Sequence, residues 1–238
     1  MAQKRRQSKN VRAEIAATAA RMIADGTAGG FEGAKRKAAR ELGAENSRNL
    51  PDNLEVHNAL AEYLTLFHAD THGTRMLLLR EAALKAMELL EIFEPRLTGA
   101  VLYGTACDHS AIHLHLSTPE LEAVTRYLIE RRLAYDFTEA RFRFRRSTAM
   151  QSVPLFKLII VEQRFELAVF PTEGAMRHPL SPIDGKPMQR AAIPAVARLI
   201  SSGQVFNSLW FSVIHAGGVD MSASREWTTP PRLPTGAN

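Results

Sequence analysis

Residues 97–118 read LTGAVLYGTACDHSAIHLHLST. The run 97–103 is apolar, of strand length, and closed by Gly104 and Thr105. Such a run fits a buried strand. A polar loop follows at 106–110. From 111 to 117, Ile112, Leu114 and Leu116 then alternate with His113 and His115. That is the period of a half-buried strand. The stretch therefore predicts strand, short loop, strand.

Upstream, 74–93 carries Leu77, Leu78, Ala82, Leu84, Met87, Leu89, Leu90 and Phe93 before Pro95. This predicts a long helix, apolar enough to lie on a sheet. Asp70 to Gly73 reads as a turn before it. Three shorter helices come earlier. One holds Val11, Ile15, Ala19, Met22 and Ile23 on one face, and Gly26, Gly29 and Gly30 stop it. The second spans 31–42, with Gly43 as its C-cap. The third starts from Asp52 or Asn53 and runs to Phe67.

Downstream, Thr118-Pro119-Glu120 opens a helix to about Arg132, with Thr as cap and Pro in the first turn. Residues 139–146, EARFRFRR, alternate Arg141, Arg143 and Arg145 with Phe142 and Phe144. Runs 155–161 and 165–170 form a hairpin about Gln163-Arg164. A Pro/Gly-rich loop at 181–188 precedes a last helix at 191–202. The expected division is a disordered basic arm at 1–10, a helical domain at 11–70, an α+β domain at 74–205 and an irregular tail at 206–238. The fold class is α+β, with N-terminal helices ahead of a mixed sheet flanked by helices.

The chain of 238 residues is 45% hydrophobic, enough for a sizeable core. Its one cysteine, Cys107, makes no internal disulfide. No apolar run is long enough for a membrane span, and the polar start carries no secretory signal, so a cytoplasmic location without membrane partners is expected. The net charge is +5, unevenly placed: residues 1–48 hold eleven Lys/Arg against five Asp/Glu. A basic end on a near-neutral body suits a polyanion such as nucleic acid, or equally a solvated helix face.

The 97–118 stretch resembles the signature of the polymerase-beta-like nucleotidyltransferase superfamily. There a strand ends in Gly-Ser or a similar pair. After a loop, the next strand opens with Ser-Asp-hydrophobic-Asp. The resemblance covers roughly 74–170. It implies that Gly104 and Thr105 approach a nucleotide's phosphates and that Ser110 precedes the first acid. It also implies two acids at i and i+2, on one face of the strand, holding divalent metals. Here Ala111 and His113 stand in their places. A third acid belongs on a later strand, and Glu166 is the candidate. Alanine binds no metal and imidazole prefers softer ions than Mg²⁺, so standard two-metal transfer is not expected.

Further candidates remain open. His109, His113 and His115 have a spacing suited to Zn²⁺ or a similar divalent ion, or are solvated strand histidines. Arg141, Arg143 and Arg145 bind phosphates or protect an edge strand. The N-terminal helices resemble the start of TetR-type regulators, with Lys35, Arg36, Lys37 and Arg40 available to backbone phosphates, or form a basic cap on the second domain. Three functions follow. The first is a nucleotidyltransferase-like protein without standard catalysis that binds a nucleotide or nucleic acid. The second is a nucleic-acid-binding regulator. The third is an enzyme with a non-standard metal site.

Overall fold

The chain's helical first half is fixed at its ends by a few local devices. In the computed structural model, which describes residues 2–45, 50–145, 149–173 and 178–202, helix α1 spans Ala2–Ala24 and α2 spans Gly30–Glu41. The arm expected to be disordered at 1–10 is therefore helical from Ala2. It holds no Gly or Pro, and its Ala, Gln, Lys and Arg are strong helix formers continuous with the periodic segment. Gly43 closes α2 in the left-handed region (φ 62°), which lets the Ala44 amide reach back to Ala39 O at 2.8 Å.

Helix α3 spans Asn53–Phe67 and starts on a capping box. The Glu55 amide donates to Asp52 Oδ1 at 2.9 Å, and the Asp52 amide donates to Glu55 Oε2 at 2.7 Å. Helix α4 spans Ala69–Leu89, so the turn expected at Asp70–Gly73 is its first turn instead. The His72 amide bonds His68 O at 2.8 Å, and Gly73 is accommodated inside the helix.

After a 3-10 turn at Glu91–Phe93, strand β1 spans only Arg96–Thr98. Gly99 (φ 71°) then turns the chain into the short helix α5, Gly99–Tyr103. The strand expected over 97–103 is corrected here. Val101, Leu102 and Tyr103 are buried, and full burial erases the period that separates strand from helix. Strand β2, Ile112–Ser117, lies where alternation places it. Helix α6 spans Leu121–Glu130, and strand β3 spans Tyr135–Phe142, shifted several residues toward the N-terminus from the expected 139–146. Strands β4, Gln151–Ile160, and β5, Gln163–Phe170, form the expected hairpin. Its two turn residues are Val161 and Glu162, both at positive φ, rather than Gln163 and Arg164. Helix α7 spans Ile193–Ser201. The expected tail at 206–238 lies outside the described residues.

The sheet is mixed, in the order β1-β2-β5-β4-β3, with β2 and β5 parallel and the other neighbours antiparallel. One face carries Leu97, Ile112, Leu114, Leu116, Phe156, Leu158, Phe165, Leu167 and Val169 into the main core. Helix α4 covers it with Met76, Leu79, Ala83 and Met87, α6 with Val124 and Leu128, and α7 with Val196. The helices α1–α3 close their own core around Ile15, Ala16, Ala19, Ala34, Ala38 and Val56. They meet the rest where Ala20, Leu60 and Leu64 pack with Cys107, and where Asn53 Nδ2 donates to Pro182 O at 2.7 Å. All described residues belong to one unit within 1–207. Among them, no helix is long and apolar enough to cross a membrane.

Candidate functional site

The face of the sheet turned away from α4 is half covered. Its register sets five polar side chains in one cross-strand row. Thr98 of β1 pairs with His113 of β2, His113 with Glu166 of β5, Glu166 with Lys157 of β4, and Lys157 with Asp136 of β3. Alternation puts all five on one face. His113 Nδ1 lies 3.3 Å from Glu166 Oε2, and Lys157 Nζ lies 3.4 Å from Glu166 Oε1. Both carboxylate oxygens are engaged. The hydrogen bond from His113, helped by the charge of Lys157, holds Glu166 below the usual carboxylate range against the opposing effect of burial. The row is a carboxylate clamped between an imidazole and an ammonium, with His113 and Lys157 partly open to solvent.

Gly99 shapes one end of the row. A Cβ built on it would sit 3.0 Å from His113 Cδ2, so the ring lies against bare backbone. Thr98 is held in place because its hydroxyl donates to Gln189 O at 2.9 Å.

In the neighbouring row on the same face, Arg96, His115, Ala168, Leu155 and Thr138, the three central residues are buried. His115 is 4% exposed. Its ring centroid lies 4.5 Å from that of Phe170 and 5.6 Å from that of Phe142. Its Nδ1 is buried with no hydrogen-bond partner among the described residues. Burial, then the fields of Arg190 and His113, push its pKa down to about 3. His115 is a neutral core residue, not a solvated strand histidine.

The metal reading of the three histidines separates in space. His109 packs its ring on Gly26, where a Cβ would meet its Cδ2 at 2.1 Å. His113 faces Glu166, and His115 is enclosed by phenylalanines. Among the described residues no group of three or more His, Cys, Asp or Glu is placed to hold a metal ion. The divalent ions that the resemblance implies do not fit the row either. Glu166 is already bonded on both oxygens, and the row's other carboxylate, Asp136, lies on the far side of an ammonium that repels a cation.

The phosphate cradle expected at Gly104 and Thr105 is likewise occupied by its own chain. Gly104 caps α5 at φ 77°. Its amide and that of Thr105 both donate to Ala100 O, the latter at 2.9 Å. Gly104 O accepts from His72 Nε2 at 2.8 Å, and Thr105 is 5% exposed. Ser110 Oγ accepts the Cys107 amide at 2.9 Å, closing the loop on itself. Arg75 pairs with Asp108 beside it. Burial pushes the Cys107 thiol up to about 11, which keeps it protonated.

Arg141 lies near the end of β3, the edge strand, with Arg143 and Arg145 just beyond it. All three are exposed, while Phe142 and Phe144 pack against Phe170. This is the arrangement of a charge-protected edge.

The row partners Thr98, Lys157 and Asp136 were not foreseen from the sequence. Lys157 is a lone charge within the apolar run LFKLII, the one local sign of a functional position. Comparison of the chain with protein-family models, with curated proteins and with solved structures finds no match.

Proposed function

We propose that this chain is a nucleotidyltransferase-like protein that binds a nucleotide without two-metal catalysis. The observation that carries the reading is the register of β2 and β5. It sets Glu166, the candidate third acid, directly beside His113, the residue standing in the second acid's place. In this reading the polar side chains of the row do what bound metals do in the family. Lys157 and the imidazole of His113 meet the phosphates, and Glu166 holds both in position. With Glu166 engaged on both oxygens and Asp136 separated from it by Lys157, the row is not suited to a metal that activates an attacking oxygen. Binding without turnover follows.

The test is calorimetric titration of ATP and GTP into the intact protein, once with EDTA and once with Mg²⁺. Binding is expected in both, with Lys157→Ala weakening it about tenfold, the scale of one charge-assisted phosphate contact. No binding at millimolar nucleotide, or binding that requires Mg²⁺, overturns the proposal.

A further inference from the structure

The helical layer carries the chain's excess of positive charge. Arg12 of α1 grips the start of α3: its guanidinium bonds Glu55 at 2.7 and 2.8 Å and lies 3.6 Å from Asp52. Further along, Ala20 packs with Leu60 and Leu64, so α1 and α3 run the same way. The part of α1 before Arg12 therefore continues past the beginning of α3. About ten residues at 1.5 Å each project roughly 15 Å. That segment carries Lys4, Arg5, Arg6 and Lys9 and no Asp or Glu.

Helix α2 adds a second set. Its buried side holds Ala34, Ala38, Ala39 and also Lys35, which pairs with Glu32 at 2.7 Å and, contrary to the expectation from sequence, is not available to phosphates; its outer side presents Arg36, Lys37 and Arg40. Arg36 and Lys37 each donate to a backbone carbonyl, Glu32 O and Thr27 O, and form no ion pair among the described residues. Arg36 and Arg40, one turn apart, line a groove of about 200 Å³ with Ala39, Leu50 and Glu45, whose exposed carboxylate lies 3.5 Å from Arg40 Nε and would give way to a phosphate. Leu50 leads through Pro51 to Asp52, which touches Arg12. The α2 cations and the α1 extension thus flank one short segment.

We propose that this surface binds nucleic acid through the phosphate backbone, without reading bases. Exposed cations on the outer side of α2, beside a helix whose first turns carry four further Lys and Arg in sequence, suit a polyphosphate. An anionic membrane is the weaker fit. The apolar residues of both helices, Ile15, Ala16, Ala19, Ala34 and Ala38, are spent on the core and leave no face to insert.

The proposal is independent of nucleotide binding at the sheet. Fluorescence anisotropy of a mixed-sequence 20-bp DNA duplex, titrated with the full chain from 50 to 200 mM KCl, tests it. Affinity should fall steeply with salt and be equal for a scrambled duplex. The double variant R36A/R40A should flatten the slope of log K against log salt by about two, one unit per lost phosphate contact. A separate K4S/R5S/R6S/K9S variant should flatten it by up to about four. Circular dichroism should show both folded. ATP binding by R36A/R40A should equal that of the parent, so that failure of one site does not imply failure of the other. An absent anisotropy change at 50 mM KCl, an unchanged slope in both variants, or tighter binding to phosphatidylserine vesicles than to the duplex overturns the proposal.

Discussion

Moving this protein from about pH 8 to about pH 5 should cost it about 4 kcal/mol of folding stability, most of it through two buried histidines. Burial lowers His115 from 6.5 to about 3 and His57 from 6.5 to about 4. In the unfolded chain both titrate near 6.5. Between that value and the folded values the unfolded state binds more protons, so stability falls as the pH falls. At pH 5 each site lies about 1.5 pH units below its unfolded pKa while remaining mainly neutral in the fold, a deficit of about 2 kcal/mol per site. His72, also lowered by burial, adds in the same direction. Glu166 and Glu55 carry depressed pKa values. Their stabilisation is present above about 4.5 and lost only below it, so it survives at pH 5. Against a typical total of about 5–15 kcal/mol the histidine effect is large. Urea denaturation followed by circular dichroism at the two pH values measures it. With a slope of about 2 kcal/mol/M, the midpoint should fall by about 2 M. His115→Leu should keep only about half of that loss and should not be weaker than the parent at pH 8, because it removes the unpartnered Nδ1. A midpoint unchanged between pH 8 and pH 5, or a His115→Leu variant that loses as much as the parent, would refute the burial argument.

Three further outcomes are expected. Gly99→Ala should destabilise the fold by about 1–2 kcal/mol, since φ of 71° lies in the left-handed region, and should shift the His113 ring resonances by crowding Cδ2; unchanged shifts and melting temperature count against it. Asp52→Ala should cost about 1–2 kcal/mol by removing the α3 cap and a partner of Arg12, read as a drop in melting temperature of about 2–8 °C. Cys107 should react with a thiol reagent at pH 8 only at the rate of unfolding, because the thiol is buried and protonated; rapid labelling of the folded chain would contradict that placement.

The legible parts of the fold are those with a local cause. The alternation of Ile112, Leu114 and Leu116 with two histidines located β2, and the capping types Asp52 and Asn53 located the start of α3. Residues 97–103 were not legible as helix, because a segment buried on every side shows no period. The hairpin shows how a small error propagates. A two-residue turn at Gln163-Arg164 would set Glu166 against Val161. The actual turn at Val161-Glu162 sets it against Lys157. A shift of two residues in the turn moves the pairing by four, and the polar row vanishes from view.

The sequence by itself determined the α+β order of elements, the presence of Ala111 and His113 where the resemblance would put two acids, and the concentration of positive charge in the first helices. These depend on residue identity and on neighbours a few positions away. Only the tertiary structure decided that His113 stands open beside Glu166 while His115, two residues on along the same strand, is sealed among phenylalanines. It also decided that the amides of Gly104 and Thr105 are consumed by Ala100. Burial, strand register and the use of a backbone donor are relations between residues distant along the chain, and local periodicity carries no record of them.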